Sequence, residues 1–426
     1  MSMGEWRSRR ERRSLHLRAA RPFTSVVWLR LSGAPAARNW EIRELRAGIR
    51  GRRVVGSRTV EEFANRIGAL DGLRGIAALV VLIHHSFVSV APLGDVYFDK
   101  PAPAALTWLV ASPIHLVWAG PEAVYVFFIL SGLVLTLPAF RRRYNWKAYY
   151  PSRLVRLYLP VVVAVLFSLV LSLAVPRSGT VGRGTWMENH DQAPSLFALV
   201  RNATLISPDW LNPPLWSLRW EVAFSVLLPL YVFVALRSAR WRVPLLVGAI
   251  ALSTFGTLIQ DKGLLIYLPM FLIGAVLAPG LSRAKASTDR RWPWIMGASL
   301  IGITCTWWIG SPISARDAVT LPIVLLSALG IVVSAVRWQG ARSFLERPVV
   351  QWFGRISFSL YLTHDPIVVT IGTLLPVDLA WLTPLVCIPV SIAVAYIFFR
   401  LVERPAHLLA KRVASRLQFR RRLAME

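Results

Sequence analysis

One apolar stretch of the chain contains an arginine and two adjacent histidines, and these side chains are the first candidates for chemistry. The stretch reads LDGLRGIAALVVLIHHS, with Arg74 near its start and His84 and His85 near its end. An ionisable side chain in the hydrocarbon region of a membrane is costly unless it faces a protein interior or a wet cavity. On a helix rising roughly 1.5 Å per residue, Arg74 and His85 lie about 16 Å apart. We therefore expect the arginine near one membrane surface and the histidine deeper in the same span.

Two further arginines lie three residues apart in the segment YYPSRLVRLYLP. Arg153 and Arg156 would share one face of a helix start. They could extend to the cytoplasmic lipid headgroups, or they could bind a phosphate, because a helix N-terminus with two guanidinium groups is a good anion site. The sequence favours neither interpretation over the other.

Three carboxylates and a histidine also border or interrupt apolar runs. Glu221 follows two tryptophans at the mouth of a span, on the membrane side opposite the arginines. His364 and Asp365 lie in the middle of a later span, directly before Pro366. They could form a mutual ion pair or satisfy backbone carbonyls that the proline leaves without a donor, and we slightly favour this structural role for His364. Glu403, in the closing VERP, is expected at the cytoplasmic boundary.

The second apolar run, GPEAVYVFFILSG, opens with Glu122 and ends with Ser131 and Gly132. Small residues at such positions permit close helix packing, so a structural role is expected for the last two. Neither a G-x-S-x-G nucleophile elbow nor a P-loop occurs in the chain. An intramembrane histidine, cytoplasmic arginines and a carboxylate on the far side suit group transfer from an anionic donor to a hydroxyl.

The composition indicates an all-α integral membrane protein. Hydrophobic residues make up 55% of the chain and charged residues 17%, with a mean hydropathy of +0.51. Apolar windows of about 20 residues recur along the chain and predict about ten transmembrane helices. The predicted spans are 71–91, 122–140, 154–175, 218–236, 243–260, 263–279, 293–309, 318–336, 354–372 and 380–401. The apolar segment 104–119 is interpreted as interfacial or re-entrant.

The distribution of the net charge of +27 predicts the topology. With the N-terminus in the cytoplasm, 42 of the 49 Lys and Arg residues fall in inside segments or at their span ends. An even number of spans then returns the C-terminus to the cytoplasm. We expect a multi-pass protein of the plasma membrane with both termini inside.

The two ends of the chain are predicted to be basic cytoplasmic tails around a membrane domain at 69–405. Residues 1–68 and 406–426 form these tails, and the first lacks a signal-peptide pattern. The first tail is expected to be disordered on anionic lipid, or partly the product of an over-assigned start codon. No nucleic-acid partner is expected, since no recognition module accompanies the charge. Cys305 and Cys387 are the only cysteines, so neither a disulfide framework nor a metal cluster is supported.

Six segments in this order and spacing resemble the type-3 membrane acyltransferases, which include O-antigen acetylases. The segments are LDGLRGIAALVVLIHH, GPEAVYVFFILSG, SRLVRLYLP, LWSLRWEVAF, FGRISFSLYLTHDP and VERP. The resemblance covers about residues 69–405. It implies about ten transmembrane helices, cytoplasmic acyl-CoA as co-substrate without a bound cofactor, and transfer of an acyl group, often acetyl, to a hydroxyl.

The family's motifs also carry functional positions over to this chain. The basic residue and histidine of the first helix correspond to Arg74 and His85, and the R-x-x-R pair to Arg153 and Arg156. The motifs W-S-L-x-x-E and S-Y-x-x-Y-L-x-H match Trp216, Ser217, Leu218, Glu221, Ser357, Tyr361 and His364, with Phe358 in place of a tyrosine. Val222, Ala223 and Ser225 replace the usual glutamate, glutamine and tyrosine, which puts acceptor contacts near them in doubt.

These observations predict an O-acyltransferase with His85 as general base, because an imidazole with a pKa near 6.5 can take a proton from an acceptor hydroxyl. A covalent acyl-histidine relay is the alternative within this mechanism. Glu221 is the second catalytic candidate. The donor-binding candidates are Arg74, Arg153 and Arg156, and the supporting candidates are Asp71, Glu122, Tyr361 and His364.

The acceptor is expected to contact the outer loops 92–120 and 176–217 together with Glu221. The second loop is rich in Gly, Pro, Asn, Asp, Trp and His, which can stack on and hydrogen-bond a sugar ring. A carbohydrate or glycosylated acceptor of the cell envelope is the first expectation and a macrolide-like molecule the second. A proton-coupled transporter or an exporter of an envelope glycan precursor is the alternative function.

Overall fold

The computed structural model describes residues 67–423 apart from Asp99, Ala102, Arg283 and the ranges 141–143, 178–181 and 310–312. Residues 1–66 of the predicted basic tail 1–68 lie outside this description. The described part of the chain is all-helical and contains no β-strand.

The α-helices are, in chain order, α1 (Gly68–Val88), α2 (Ala91–Tyr97), α3 (Ala104–Val110), α4 (Gly120–Ala139), α5 (Trp146–Ala174), α6 (Thr185–Glu188), α7 (Leu196–Thr204), α8 (Trp216–Arg237), α9 (Arg242–Leu258), α10 (Leu264–Leu281), α11 (Arg291–Gly302), α12 (Cys305–Trp308), α13 (Ile313–Arg337), α14 (Gln339–Leu345), α15 (Pro348–Leu374), α16 (Thr383–Phe398) and α17 (Arg404–Leu423). Short 3-10 helices span Pro113–Trp118, Pro213–Leu215 and Val377–Leu382, and a π-helical turn, Phe399–Glu403, joins α16 to α17.

Seven helical segments among the described residues are long and apolar enough to cross a membrane. They are α1, α4, α5, α8, α10, α13 and the continuous segment that contains α16 and α17. The predicted spans outside this set also fold as helices: α9 has 17 residues, α11 has 12, and α15 has 27 but is interrupted by polar side chains. The multi-span helical architecture is therefore confirmed, whereas the count of ten and the cytoplasmic termini stay predictions.

Helices α1 and α15 pack backbone to backbone at two glycines. A Cβ atom on Gly354 would lie 2.3 Å from the carbonyl oxygen of Asp71, and one on Gly75 would lie 2.5 Å from the backbone nitrogen of Gly354. Ten residues further along each helix, about 15 Å away, are His85 and His364. The glycine contact therefore sets the register in which the two histidines meet.

A second close approach joins α4 to α10. A Cβ on Gly132 would lie 2.1 Å from the carbonyl oxygen of Phe271, and one on Gly274 would lie 1.9 Å from that of Ile129. Small residues let membrane helices approach until their backbones touch, which increases the dispersion contacts that hold them together. This geometry agrees with the packing role expected of Gly132.

The chain enters the helix bundle just before α8. Asn212 is fully buried, and its Nδ2 donates to the carbonyl oxygen of Leu362 at 3.0 Å and to Ser168 Oγ at 3.1 Å. Pro366 has no N–H with which to bond Leu362 in α15, so the Asn212 side chain supplies the missing donor. The expectation that His364 or Asp365 satisfies this carbonyl is wrong, and α8 begins inside the bundle.

Candidate functional site

His85 and His364 form a hydrogen-bonded pair between α1 and α15. His85 Nδ1 lies 2.8 Å from His364 Nε2, and His364 Nδ1 lies 2.9 Å from the carbonyl oxygen of Leu360. A carbonyl only accepts, so His364 Nδ1 carries a proton and donates to it. In neutral His364 the Nε2 atom is then an acceptor, and His85 Nδ1 must donate to it. A neutral His85 consequently carries its lone pair on Nε2, where it can receive a proton.

The two neighbouring histidines of α1 have different surroundings. His84 is buried, donates from Nδ1 to the carbonyl oxygen of Trp118 at 2.9 Å, and contacts the rings of Tyr97 and Trp118. His85 is only half-buried, and its ring centroid lies 5.8 Å from that of Trp186. Of the two, His85 is the less buried and is the one that pairs with His364.

A narrow cavity of about 40 Å³ lies among α1, α4, α8 and α15. We call it the arginine cavity. Its lining consists of Arg74, Val124, Phe127, Phe128, Ser131, Ser217, Leu218, Glu221, Ser357, Phe358 and Tyr361. The Tyr361 hydroxyl donates to the carbonyl oxygen of Pro214 at 3.0 Å and lies 2.7 Å from Ser217 Oγ. Tyr361 also faces His364, with ring centroids 5.9 Å apart, so the cavity adjoins the histidine pair.

Arg153 reaches this cavity through an ion pair with Glu221. Its Nη2 contacts Glu221 Oε1, and its Nε donates to Ser225 Oγ at 3.2 Å. The placement of Glu221 on the membrane side opposite the arginines is therefore wrong. The physical reason is that α8 starts inside the bundle after the buried turn at Asn212, which brings its first turns to the depth of Arg153.

Arg156 has different hydrogen-bond partners from Arg153. It is exposed, and its Nε donates to His407 Nε2 at 3.0 Å. His407 in turn lies 3.7 Å from Glu403. Glu403 is buried and accepts from the backbone N–H of Ser359 at 3.1 Å and from its hydroxyl at 2.5 Å. Its position at the cytoplasmic boundary stays a prediction. Arg153 and Arg156 therefore bind different partners, Glu221 and His407 respectively.

A larger pocket of about 540 Å³ lies on the 176–217 segment. We call it the tryptophan pocket. Its lining consists of Trp186, Asn189, His190, Gln192, Arg201, Pro208, Asp209, Trp210, Pro213 and Trp216. Trp186 also contacts the His85 ring, so this pocket adjoins the histidine pair from another side. Two consecutive residues of α8 line different spaces: Trp216 lines this pocket, and Ser217 lines the arginine cavity.

A group of buried polar side chains lies on the interior side of the tryptophan pocket. His190 Nε2 lies 3.7 Å from Asp365 Oδ2, and His190 Nδ1 donates to the Trp186 carbonyl oxygen at 2.9 Å. Arg177 Nη1 donates to the Trp210 carbonyl oxygen at 3.1 Å. Burial lowers the pKa of Arg177, and the nearby Asp365 opposes this effect. Asp365 therefore pairs with His190, and the mutual ion pair expected between His364 and Asp365 does not form.

Asp95 of helix α2 binds the pocket's segment at Thr185. Asp95 Oδ1 accepts from the Thr185 backbone N–H at 3.1 Å and from its hydroxyl at 2.8 Å. Burial raises the pKa of Asp95, but these hydrogen bonds and nearby Lys100 outweigh it and leave the pKa below its usual value. The carboxylate thus holds the first turn of the segment in place.

The remaining candidates lie away from both spaces. Glu122 accepts from Trp307 Nε1 at 2.7 Å, and Asp71 lies in the α1–α15 contact. Neither lines the arginine cavity or the tryptophan pocket. In the described part of the chain, no group of three or more His, Cys, Asp or Glu side chains could hold a metal ion. Sequence reasoning did not single out His190, Arg177 or Asn212, and its one indication was the Trp- and His-rich composition of their segment.

The fold and the site define a multi-span helical membrane protein with a paired histidine between two internal spaces. The chain belongs to the acyltransferase domain family, whose model matches residues 67–400, and the resemblance to type-3 membrane acyltransferases is confirmed. It is similar to acyltransferase MdmB of Streptomyces mycarofaciens, with 24% identity over 70% of this chain and 78% of that protein. It is also similar to O-acetyltransferase PaAT-1 of Phomopsis amygdali, with 23% identity over 71% of this chain and 72% of the relative. No solved structure gives a significant match.

These matches identify the protein as an O-acyltransferase. The transporter alternative therefore has no support.

Proposed function

We propose that this enzyme transfers an acyl group, first of all acetyl, from acyl-CoA to a hydroxyl of a carbohydrate or glycosylated acceptor. The observation that carries the proposal is the hydrogen bond between His85 Nδ1 and His364 Nε2, which directs the basic nitrogen of a neutral His85 to Nε2. His85 is then the general base, and His364 is the residue that holds its ring and tautomer.

The proposed reaction is a direct transfer. His85 Nε2 takes the hydroxyl proton while the acceptor oxygen attacks the thioester carbonyl carbon. The C–O bond forms, the C–S bond breaks, and the proton passes from the imidazolium to the leaving sulfur, so that CoA departs as a thiol. An acyl-histidine intermediate on the same Nε2 is the alternative, and it would add a mass equal to the acyl group to the intact protein when acceptor is absent.

The arginine cavity is our proposed site for the acyl and thioester end of the donor. Arg74 at this cavity and Arg156 nearby supply guanidinium groups, which suit the phosphates of CoA. Arg153 contributes to the cavity mainly by holding Glu221, because its guanidinium group is already bonded to that carboxylate and to Ser225. A volume of about 40 Å³ fits a short acyl group better than a long chain.

The tryptophan pocket is our proposed acceptor site. Three tryptophans offer flat apolar faces, and the neighbouring amide, carboxylate and guanidinium groups of the lining can bond to hydroxyls. In the topology predicted from the charge distribution, this pocket opens away from the cytoplasm, which suits an acceptor of the cell envelope and placement in the plasma membrane.

The test is His85→Ala in purified, full-length protein, with His84→Asn as the matched control. We expect His85→Ala to lower CoA release from acetyl-CoA at least a hundredfold, since a positioned general base contributes about 10²–10⁴-fold. His84→Asn keeps a donor for the Trp118 carbonyl and should retain most activity. Undiminished acyl transfer by folded His85→Ala protein would overturn the proposed base.

A further inference from the structure

The buried side of the tryptophan pocket has unpaired polar groups that a ligand could complete. Asp365 is fully buried and His190 is 3% exposed. Within the part of the chain that the structure describes, neither Asp365 oxygen nor His190 Nε2 has a hydrogen-bond partner. Unpaired buried polar groups are costly, and each calls for an explanation such as a bound molecule.

The proton positions identify what these groups lack. His190 Nδ1 must carry a proton, because it lies 2.9 Å from the Trp186 carbonyl oxygen. The other ring nitrogen, Nε2, faces Asp365 Oδ2 at 3.7 Å, which is too long for a direct hydrogen bond. A hydroxyl between the two groups can donate to Asp365 and bond Nε2, and so complete both.

The charges around the pair are largely balanced. Arg201 and Asp209, which both line the pocket, form an ion pair at 3.5 Å, and Arg177 lies near enough to Asp365 to offset its charge. An ionic ligand would have to compete with these partners. A neutral hydroxyl avoids this competition: its O–H donates to the His190–Asp365 pair, and its oxygen can accept a hydrogen bond.

We propose that the tryptophan pocket binds a neutral sugar ring of the acceptor and that His190, held by Asp365, binds a ring hydroxyl other than the one that is acylated. His190 is the specificity-determining residue in this assignment because it lines the pocket. Asp365 does not line the pocket and is a positioning residue. The inference rests on the proposed acyl transfer, since Trp186 places this pocket beside His85.

The experiment uses full-length enzyme in detergent with acetyl-CoA, a panel of methyl hexopyranosides and their monodeoxy analogues, and a thiol reagent that detects CoA. His190→Asn keeps a donor near the Trp186 carbonyl but removes Nε2, and His190→Gln places a polar group near the Nε2 position. We expect His190→Asn to raise the glycoside KM about tenfold. His190→Gln should recover part of this loss, and Asp365→Asn should raise the same KM. Acceptor-free CoA release and the acetyl-CoA KM are measured in the same preparations, so that the change in the glycoside KM is separated from any change in the donor half-reaction.

The decisive measurement combines the loss of His190 Nε2 from the protein with the loss of one hydroxyl from the glycoside and compares the resulting KM values. For one monodeoxy analogue, the wild-type enzyme and His190→Asn should have the same KM, because the bonded hydroxyl is already missing. If His190→Asn weakens every analogue by the same factor as the parent glycoside, the residue is structural and the proposal is wrong. His115→Asn is the matched control: His115 is equally buried, lies between Trp118 and Trp307, and lines neither space.

Failure of the two proposals can be told apart. If His85-dependent CoA release occurs but no glycoside increases it, the sugar assignment is overturned while acyl transfer stands. If CoA release does not depend on His85 at all, the proposed function itself fails.

Discussion

The arginine cavity and the tryptophan pocket adjoin the same histidine pair but are built in different ways. The cavity lies among four long helices, holds about 40 Å³ and contains the Arg153–Glu221 ion pair at its edge. The pocket is formed by short helices and turns of one segment, holds about 540 Å³ and is lined by three tryptophans. A space between locked helices keeps a constant geometry, whereas a loop-built pocket tolerates changes of residue and length.

Under the proposed function, the two spaces have different tasks. The small space suits a co-substrate whose reactive end is always the same thioester, and the large one suits an acceptor that differs from one enzyme to another. The histidine pair between them is the part that both substrates must share. Substitutions in the three regions should therefore have separable kinetic effects.

After the loss expected for His85→Ala, the largest effect is expected at the ion pair of the arginine cavity. Arg153→Ala leaves Glu221 largely buried without its charged partner, and losing a charge-assisted hydrogen bond costs about 1.5–3 kcal/mol. This corresponds to a loss of about ten- to a hundredfold in kcat/KM for acetyl-CoA. Arg153→Lys should lose less, because it keeps the charge but cannot bond Glu221 and Ser225 together.

The measurement is a steady-state titration of acetyl-CoA at a fixed acceptor concentration. Tyr150→Phe is the control, since it removes only the neighbouring hydroxyl that donates to the Val226 carbonyl. Should Arg153→Ala alter only the acceptor KM, the assignment of the cavity to the donor would have to be abandoned.

The second effect concerns the register of the histidine pair. Gly354→Ala inserts a Cβ that would lie 2.3 Å from the Asp71 carbonyl oxygen, so α1 and α15 must separate. A shift of about 1 Å in catalytic groups can cost 10²-fold in rate, and we expect kcat to fall by roughly ten- to a hundredfold. The acetyl-CoA KM should also rise, because Arg74, Ser357 and Phe358 line the arginine cavity next to this contact, whereas the acceptor KM should stay nearly constant. Gly297→Ala, where a Cβ meets open space, is the control.

The long helices could be predicted because their apolar runs match the membrane thickness. Each predicted span overlaps a helix, although 293–309 is divided between α11 and α12, and the segment 104–119 folds as two short pieces instead of a span. Motif positions on those helices, such as Arg74 and Tyr361, line the same cavity. Hydropathy and local spacing carry this information directly.

The buried turn before α8 could not be predicted from the same signals. Asn212 satisfies the Leu362 carbonyl across 150 positions in sequence, a contact that no local periodicity encodes. For that reason Glu221 was expected at the wrong depth. The pairing of His190 with Asp365 is equally long-range, and only the Trp- and His-rich composition of the 176–217 segment indicated a binding role there.

A smaller effect is expected in the tryptophan pocket. Trp210→Ala removes an aromatic face, and an aromatic contact contributes about 0.5–1.5 kcal/mol, so the acceptor KM should rise about three- to tenfold. Trp210→Phe keeps a ring and should recover much of the affinity. The acetyl-CoA KM, measured in parallel, should not change. A loss confined to the acetyl-CoA KM would reverse the roles assigned to the two spaces.

The smallest effect is expected where the pocket's segment is attached to α2. Asp95 binds both the backbone N–H and the hydroxyl of Thr185. Asp95→Asn keeps one oxygen acceptor but loses the charge, so it should weaken the attachment by about 1 kcal/mol or less. The segment would then be ordered less often, and the acceptor KM should rise by about two- to threefold with kcat for bound acceptor unchanged.

Limited proteolysis should show faster cleavage within 176–217 in Asp95→Asn, and saturating acceptor should slow that cleavage again. Lys100→Gln, which removes the charge facing Asp95 at 3.6 Å but leaves the Thr185 bonds, is the control. Equal cleavage of the variant and the wild type would mean that other contacts, such as Asn212 with Leu362, suffice to hold the pocket in place.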